Sequence, residues 1–135
     1  MSLISELLAK PPELTRASAY TVINGFIYLA AGVLFIIWPG AAQALFRESA
    51  FVGHEEGLFR VIGLTLAVIG WLYFFGGRSG SRQVIAASVI DRLLFVPAVL
   101  IPLAIAGVFT HVFVTLAILD PLLATGAWIL LDRRT

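Results

Sequence analysis

Cysteine is absent from this chain. Its absence excludes a disulfide framework, thiolate metal sites and cysteine nucleophiles together, and says nothing of redox compartment. Histidine is scarce as well. His54 and His111 are the two present, both outside the long apolar runs, and with Glu55 or Glu56 they match no ligand spacing such as H-E-x-x-H. No metal site is therefore expected. A glycine-rich phosphate loop and a Ser-His-Asp arrangement are also missing, so no cofactor is expected, and no basic patch points to nucleic acid. An enzyme would have to work through carboxylate and arginine chemistry alone, and the expectation is a non-enzymatic protein. Charge is thin throughout: 13% of residues are charged and 60% hydrophobic, with a net charge of +1. Soluble proteins average about 25% charged and roughly 45–50% apolar. A chain of 135 residues is expected to form one compact unit, residues 1–135, and this excess of apolar residues implies a lipid bilayer as its partner.

What the chain does have is a series of long apolar runs. Tyr20 to Trp38 carries no charge and ends at Pro39-Gly40. Ala42-Gln43-Ala44 after it has the form of a signal-peptidase site, but the run of 19 residues exceeds the roughly 7–15 of a signal core. It is read as a retained span. A second span begins at the acidic pair Glu55-Glu56 and ends near Phe75, with Gly76-Gly77 as its stop. From Leu93 to Leu131 there are 39 residues with one charge, Asp120. Two crossings of about 20 residues and a turn do not fit in that length, so the third span must start earlier. The predicted spans are about 20–38, 56–75, 83–107 and 112–131, joined at the last turn by Val108 to His111.

Two shorter pieces flank them. Leu3, Ile4, Leu7 and Leu8 recur at helical spacing, which predicts a surface helix over 2–9 ended by Pro11-Pro12, with Pro12-Glu13 opening the next helix. Residues 41–52 predict a second interfacial helix, with Phe46 and Phe51 toward lipid and Arg47 and Glu48 toward water. The fold class is thus all-α: a four-helix transmembrane bundle with short interfacial helices. Lys10, Arg16, Arg78, Arg82, Arg133 and Arg134 fall on one side of it and Arg47 alone on the other. That bias places both termini in the cytoplasm. Trp38 on the outer side, and Trp71, Tyr73 and Trp128 near the inner side, are expected as interface anchors.

Glycines recur seven apart in two spans, Gly25 with Gly32 and Gly63 with Gly70, so each pair lies along one helix face. Small residues let helices approach closely in lipid. These faces are expected either to pack the bundle or to join copies of the chain in a homo-oligomer.

The third span draws Asp91 and Arg92 roughly 12–14 Å along the helix from its start. Charges at membrane depth are costly and are kept either for packing or for function. Arg92 and Asp120 are candidate partners. Asp120-Pro121 also reads as an N-cap and first helical residue, so span four is either broken there or mildly kinked. Glu56 and Arg60, with the acid first at i,i+4, suit an outer-surface salt bridge, the sharper alternative being Arg60 reaching in to Asp120. Thr21, Asn24 and Tyr28 share one face of span one and either bond between helices or line a polar cavity with Ser88 and Asp91. The candidate polar core is Asn24, Tyr28, Arg60, Ser88, Asp91, Arg92 and Asp120.

SVIDRLLFVP (Ser88 to Pro97), preceded by GLFRVIG and IGWLYFFGGRSGS and followed by ILDPLLATGAW, resembles the BphX-like family of small bacterial integral membrane proteins. The resemblance covers most of the chain beyond span one. It implies a bacterial inner-membrane location and an association with aromatic-compound degradation, and it transfers no site residue. The function expected is a small accessory or ligand-binding membrane protein, binding or passing an unspecified small molecule at its buried charges. The alternative is a structural scaffold or interaction protein whose core is locked by an ion pair.

Overall fold

The structure, a computed structural model, describes residues 2–133; Arg134, counted above among the basic residues, lies outside them. Among the described residues every regular element is helical. Helix α1 (Leu3–Leu7) is capped by Ser2, whose hydroxyl accepts from the Ser5 N–H, and none of its residues is buried. Helix α2 (Arg16–Ile37) starts later than Pro12-Glu13 suggested: Thr15 is the N-cap and accepts from the Ser18 N–H. A short α3 (Ala41–Phe46) follows, then α4 (Glu55–Arg78), whose first turn carries Glu55 and Glu56 at its positive end. Gly76-Gly77 do not stop α4, because Gly77 is packed on α2 and the helix runs one residue further.

The third long helix is one continuous rod of three parts: α5 (Arg82–Ile90), a π-helical turn at Asp91–Phe95 and α6 (Val96–Ile105). In the π turn the Val96 N–H donates to the Asp91 carbonyl, five residues back. Pro97 explains its position. Inside an α-helix its ring would collide with the Leu93 carbonyl, and it has no N–H to give. The widened turn makes Pro97 part of the first turn of α6, where neither defect costs a bond. Gly107 and Phe109, both with positive φ, then turn the chain into α7 (Thr110–Asp132). Asp120-Pro121 does not break this helix, which runs through both residues.

Four helical rods, Arg16–Ile37, Glu55–Arg78, Arg82–Ile105 and Thr110–Asp132, are long and apolar enough to cross a membrane. Their outward faces are apolar, with Phe26, Ile37, Leu72, Phe95, Ile105 and Leu122 among the exposed side chains. A water-soluble chain would turn such residues inward.

The closest packing joins α2 to α4. A methyl placed on Gly25 would lie 2.7 Å from the Gly70 carbonyl oxygen, and one on Gly70 2.6 Å from that of Gly25. Gly32 and Gly63 repeat the arrangement one rung further on, and Gly77 against Ser18 and Val22 forms a third rung. Ser18, Gly25 and Gly32 are spaced by seven, as are Gly63, Gly70 and Gly77, and the two series run antiparallel. The glycine faces named as candidate oligomer surfaces are thus packed against each other within the chain.

The far end from Arg16, Arg78 and Arg82 is closed by aromatic rings. Phe46 and Phe51 do not face outward as the pattern predicted. Phe46 packs edge-on against Phe35 at 5.9 Å, and Phe51 lies 5.5 Å from Phe59 and 6.0 Å from Phe109. Arg47, in the left-handed conformation that ends α3, redirects the chain toward α7. There Glu48 accepts the Val112 N–H at 2.8 Å, and His111 Nδ1 donates to the Arg47 carbonyl at 2.8 Å. A carboxylate at a helix N-terminus satisfies one of its free donors and its dipole, and this bond ties segment 41–52 to α7.

Candidate functional site

Each of the four rods sends a polar side chain to the middle of the bundle. Asp120 lies ten residues into the 23-residue α7 and Arg92 ten residues past the start of α5, each about 15 Å along its helix. Both are buried, Arg92 to 1% exposure and Asp120 to 6%. They are not paired: the salt bridge found among the described residues is Arg60–Glu56. Sequence periodicity does not show the π turn between Ile90 and Val96, which contains both Asp91 and Arg92.

Arg92 instead folds back along its own helix. Its Nε donates to the Ser88 carbonyl at 3.1 Å and Nη2 to the Ser88 hydroxyl at 3.2 Å. Its guanidinium sits 5.1 Å from the centre of the Tyr73 ring, within cation–π range. Nη1 has no partner among the described residues.

The carboxylates are held by tyrosines. The Tyr28 hydroxyl of α2 donates to Asp120 Oδ1, and the Tyr73 hydroxyl of α4 donates to Asp91 Oδ2 at 2.9 Å. The two rings meet edge to face at 5.9 Å, which links the two pairs. Asp120, Arg92 and Asp91 lie within electrostatic reach of one another. Asn24, one turn before Tyr28 on α2, is 2% exposed, and its amide nitrogen also lacks a partner among the described residues. The same α2 face carries Thr21, whose hydroxyl donates to the Ala17 carbonyl.

Of the expected polar core, Asn24, Tyr28, Ser88, Arg92 and Asp120 are buried, and Asp91 is half-buried beside them. Arg60 does not belong to it. Its side chain is 51% exposed and donates to Glu56 at 3.1 Å, one turn back on the same helix, at the far end of α4 from the cluster. Tyr73 does belong, although its position near the end of a span suggested an interface anchor. The signal was present: Leu66, Gly70, Tyr73 and Gly77 fall on one helical face, and all four are buried. Trp38, Trp71 and Trp128 are exposed on the apolar surface.

A groove of about 300 Å³ approaches this centre from the side. It runs between α4 and the α6–α7 pair and is walled by Leu66, Ile69, Val99 and Phe113, with Asp120 as the ionisable group in its lining. His54 and His111 lie away from it, and no group of three metal-ligating side chains exists among the described residues. Comparison with family models, curated proteins and solved structures finds no match to this chain.

Proposed function

We propose that this chain is an integral membrane protein of four spans whose central polar cluster binds a small ligand, either to hold it or to pass it across. In this reading both termini face the cytoplasm, and the BphX-like resemblance contributes a bacterial inner membrane. The observation that carries the proposal is the state of Arg92. A guanidinium enclosed in an apolar bundle, bonded to neutral oxygens and left with one nitrogen unpartnered, is an expensive arrangement for packing alone. A buried donor without an acceptor costs about 1–3 kcal/mol, more when it is charged. A dry structural lock would pair Arg92 with Asp120 and satisfy both.

The scaffold reading has its own support, since Tyr28 and Tyr73 join α2 to α7 and α4 to the π turn through the carboxylates. The two readings separate by experiment. Purified wild type, Asp120→Asn and Arg92→Gln are compared for thermal stability in detergent and for aromatic-acid uptake in proteoliposomes. The ligand reading expects uptake to fall in variants that remain folded. Loss of stability with unchanged uptake returns the cluster to a structural role.

A further inference from the structure

The cluster reading does not say which molecules reach it, but the groove does. We infer that the groove between α4 and the α6–α7 pair admits lipophilic amines from the side, with the ammonium at Asp120 and the apolar body along Leu66, Ile69, Val99 and Phe113. The inference rests on the polar centre being a ligand site and adds the route and the chemical class.

Three observations support it. The groove walls are apolar almost throughout, and the ionisable group that lines them is a carboxylate. That carboxylate forms no salt bridge among the described residues: Arg92, though within electrostatic reach, bonds Ser88, and Asp120 accepts from Tyr28. Around the centre stand two carboxylates, buried Asp120 and half-buried Asp91, against one guanidinium, Arg92. A primary ammonium on an apolar body would supply the missing positive charge and donate to Asp120, while burying its hydrocarbon where α4 stands away from α6. The volume is at the small end of ligand pockets, which run from about 300 to 1,000 Å³, so a single ring on a short chain is a suitable size. Thr65 and Phe95, both exposed, stand where the groove opens onto the apolar surface, so entry is from the lipid side.

The test uses the full chain in detergent micelles and titrates phenylbutylamine by calorimetry, with phenylbutanol as its uncharged counterpart. Saturable amine binding, about tenfold or more tighter than the alcohol, is expected from one charge-assisted hydrogen bond. It should be lost in Asp120→Asn. Should that variant fail to fold, Thr65→Trp serves in its place: Thr65 bonds only the Val61 carbonyl of its own helix, and an indole there blocks the groove without touching the polar cluster. Equal binding of amine and alcohol, or amine binding unchanged by Thr65→Trp, overturns the inference and makes the groove a seat for lipid chains. Absence of saturable amine binding also overturns it. In that case phenylbutyrate is titrated: binding that disappears in Arg92→Gln leaves the central site standing with an anionic ligand, and no binding removes both.

Discussion

Two neighbouring stripes of α4 have opposite fates. Gly63, Gly70 and Gly77 bring its backbone against that of α2, while Ile62 and Ile69, each one residue before a seam glycine, face the groove beside α6 and α7 together with Thr65. The difference teaches what holds helices together when the surroundings are as apolar as the side chains. In a bilayer, burial of hydrocarbon would give no preference for a neighbouring helix over lipid, so close approach would go to the face that lets backbones touch. Branched side chains keep the other face apart, and Pro97 and Pro102 on the opposing rod leave it fewer regular backbone bonds with which to hold a fixed line. One stripe makes a seam and the other an opening, on the same helix.

The largest effect should come from filling the seam. Gly70→Leu forces a side chain into the α2 backbone, where neither neighbour can move aside. The loss of stability should reach or exceed the roughly 1–3 kcal/mol typical of overpacking. Gly57→Ala is the matched control, because a methyl there meets nothing within 4 Å. That change should be neutral or stabilising by about 0.5–1 kcal/mol, the helix-propensity gain of alanine. Thermal unfolding in detergent reads both. Equal tolerance of the two substitutions would mean that α2 and α4 are not in backbone contact.

A step smaller are the tyrosines that reach from the seam helices to the charged centre. Tyr28→Phe removes the donor to Asp120, a buried acceptor, and should cost about 1–3 kcal/mol. Tyr73→Phe should cost less, because Asp91 is half-exposed and a phenyl ring still stacks under the Arg92 guanidinium. Unfolding midpoints of the two variants give the order directly. A reversed order would show that Asp120, rather than Asp91, has the easier access to water.

The seam was half legible in the sequence. The seven-residue spacing of Gly25 with Gly32 and Gly63 with Gly70 is visible in one dimension, but spacing alone does not say whether the partner face belongs to the same chain or to another. The third rung was harder to see, because Ser18 pairs with Gly77 across unlike residues, and Gly77 resembled a helix stop. The four long rods followed from apolar length, and the charges of the third from counting residues between Leu93 and Leu131. What counting cannot supply is rotation. Periodicity assumes 3.6 residues per turn, and the π turn at Asp91–Phe95 breaks that assumption at the two charged residues; Arg92 and Asp120, candidate partners in the sequence, do not pair. Pro97 marks the place where such a departure is needed, yet proline equally signals a kink. Phe46 and Phe51 illustrate the same limit at the end of the bundle away from Arg78 and Arg82. Their direction depends on the left-handed turn at Arg47 and on Glu48 reaching the start of α7, a contact 64 residues apart in sequence.

That contact gives the smallest effects, and they extend the comparison from helix faces to helix ends. Glu48→Ala frees the Val112 N–H and removes a carboxylate from the α7 dipole, at a cost of about 1 kcal/mol, typical of losing a cap. Glu56→Gln breaks the ion pair with Arg60, but both side chains are more than half exposed. Surface pairs of this kind contribute between about 0.2 and 1 kcal/mol, and helix pairs at i,i+4 sit low in that range. Glu48→Ala should therefore lower the unfolding midpoint measurably and increase hydrogen exchange over residues 41–52, whereas Glu56→Gln should leave both nearly as they were. The same carboxylate chemistry has unequal worth because one group satisfies a helix end that has no side-chain cap of its own among the described residues, and the other adds one exposed bond to a helix already formed. If Glu56→Gln proved the costlier change, Arg60 would have to be engaged with something besides its neighbour one turn away, and its exclusion from the polar centre would fail.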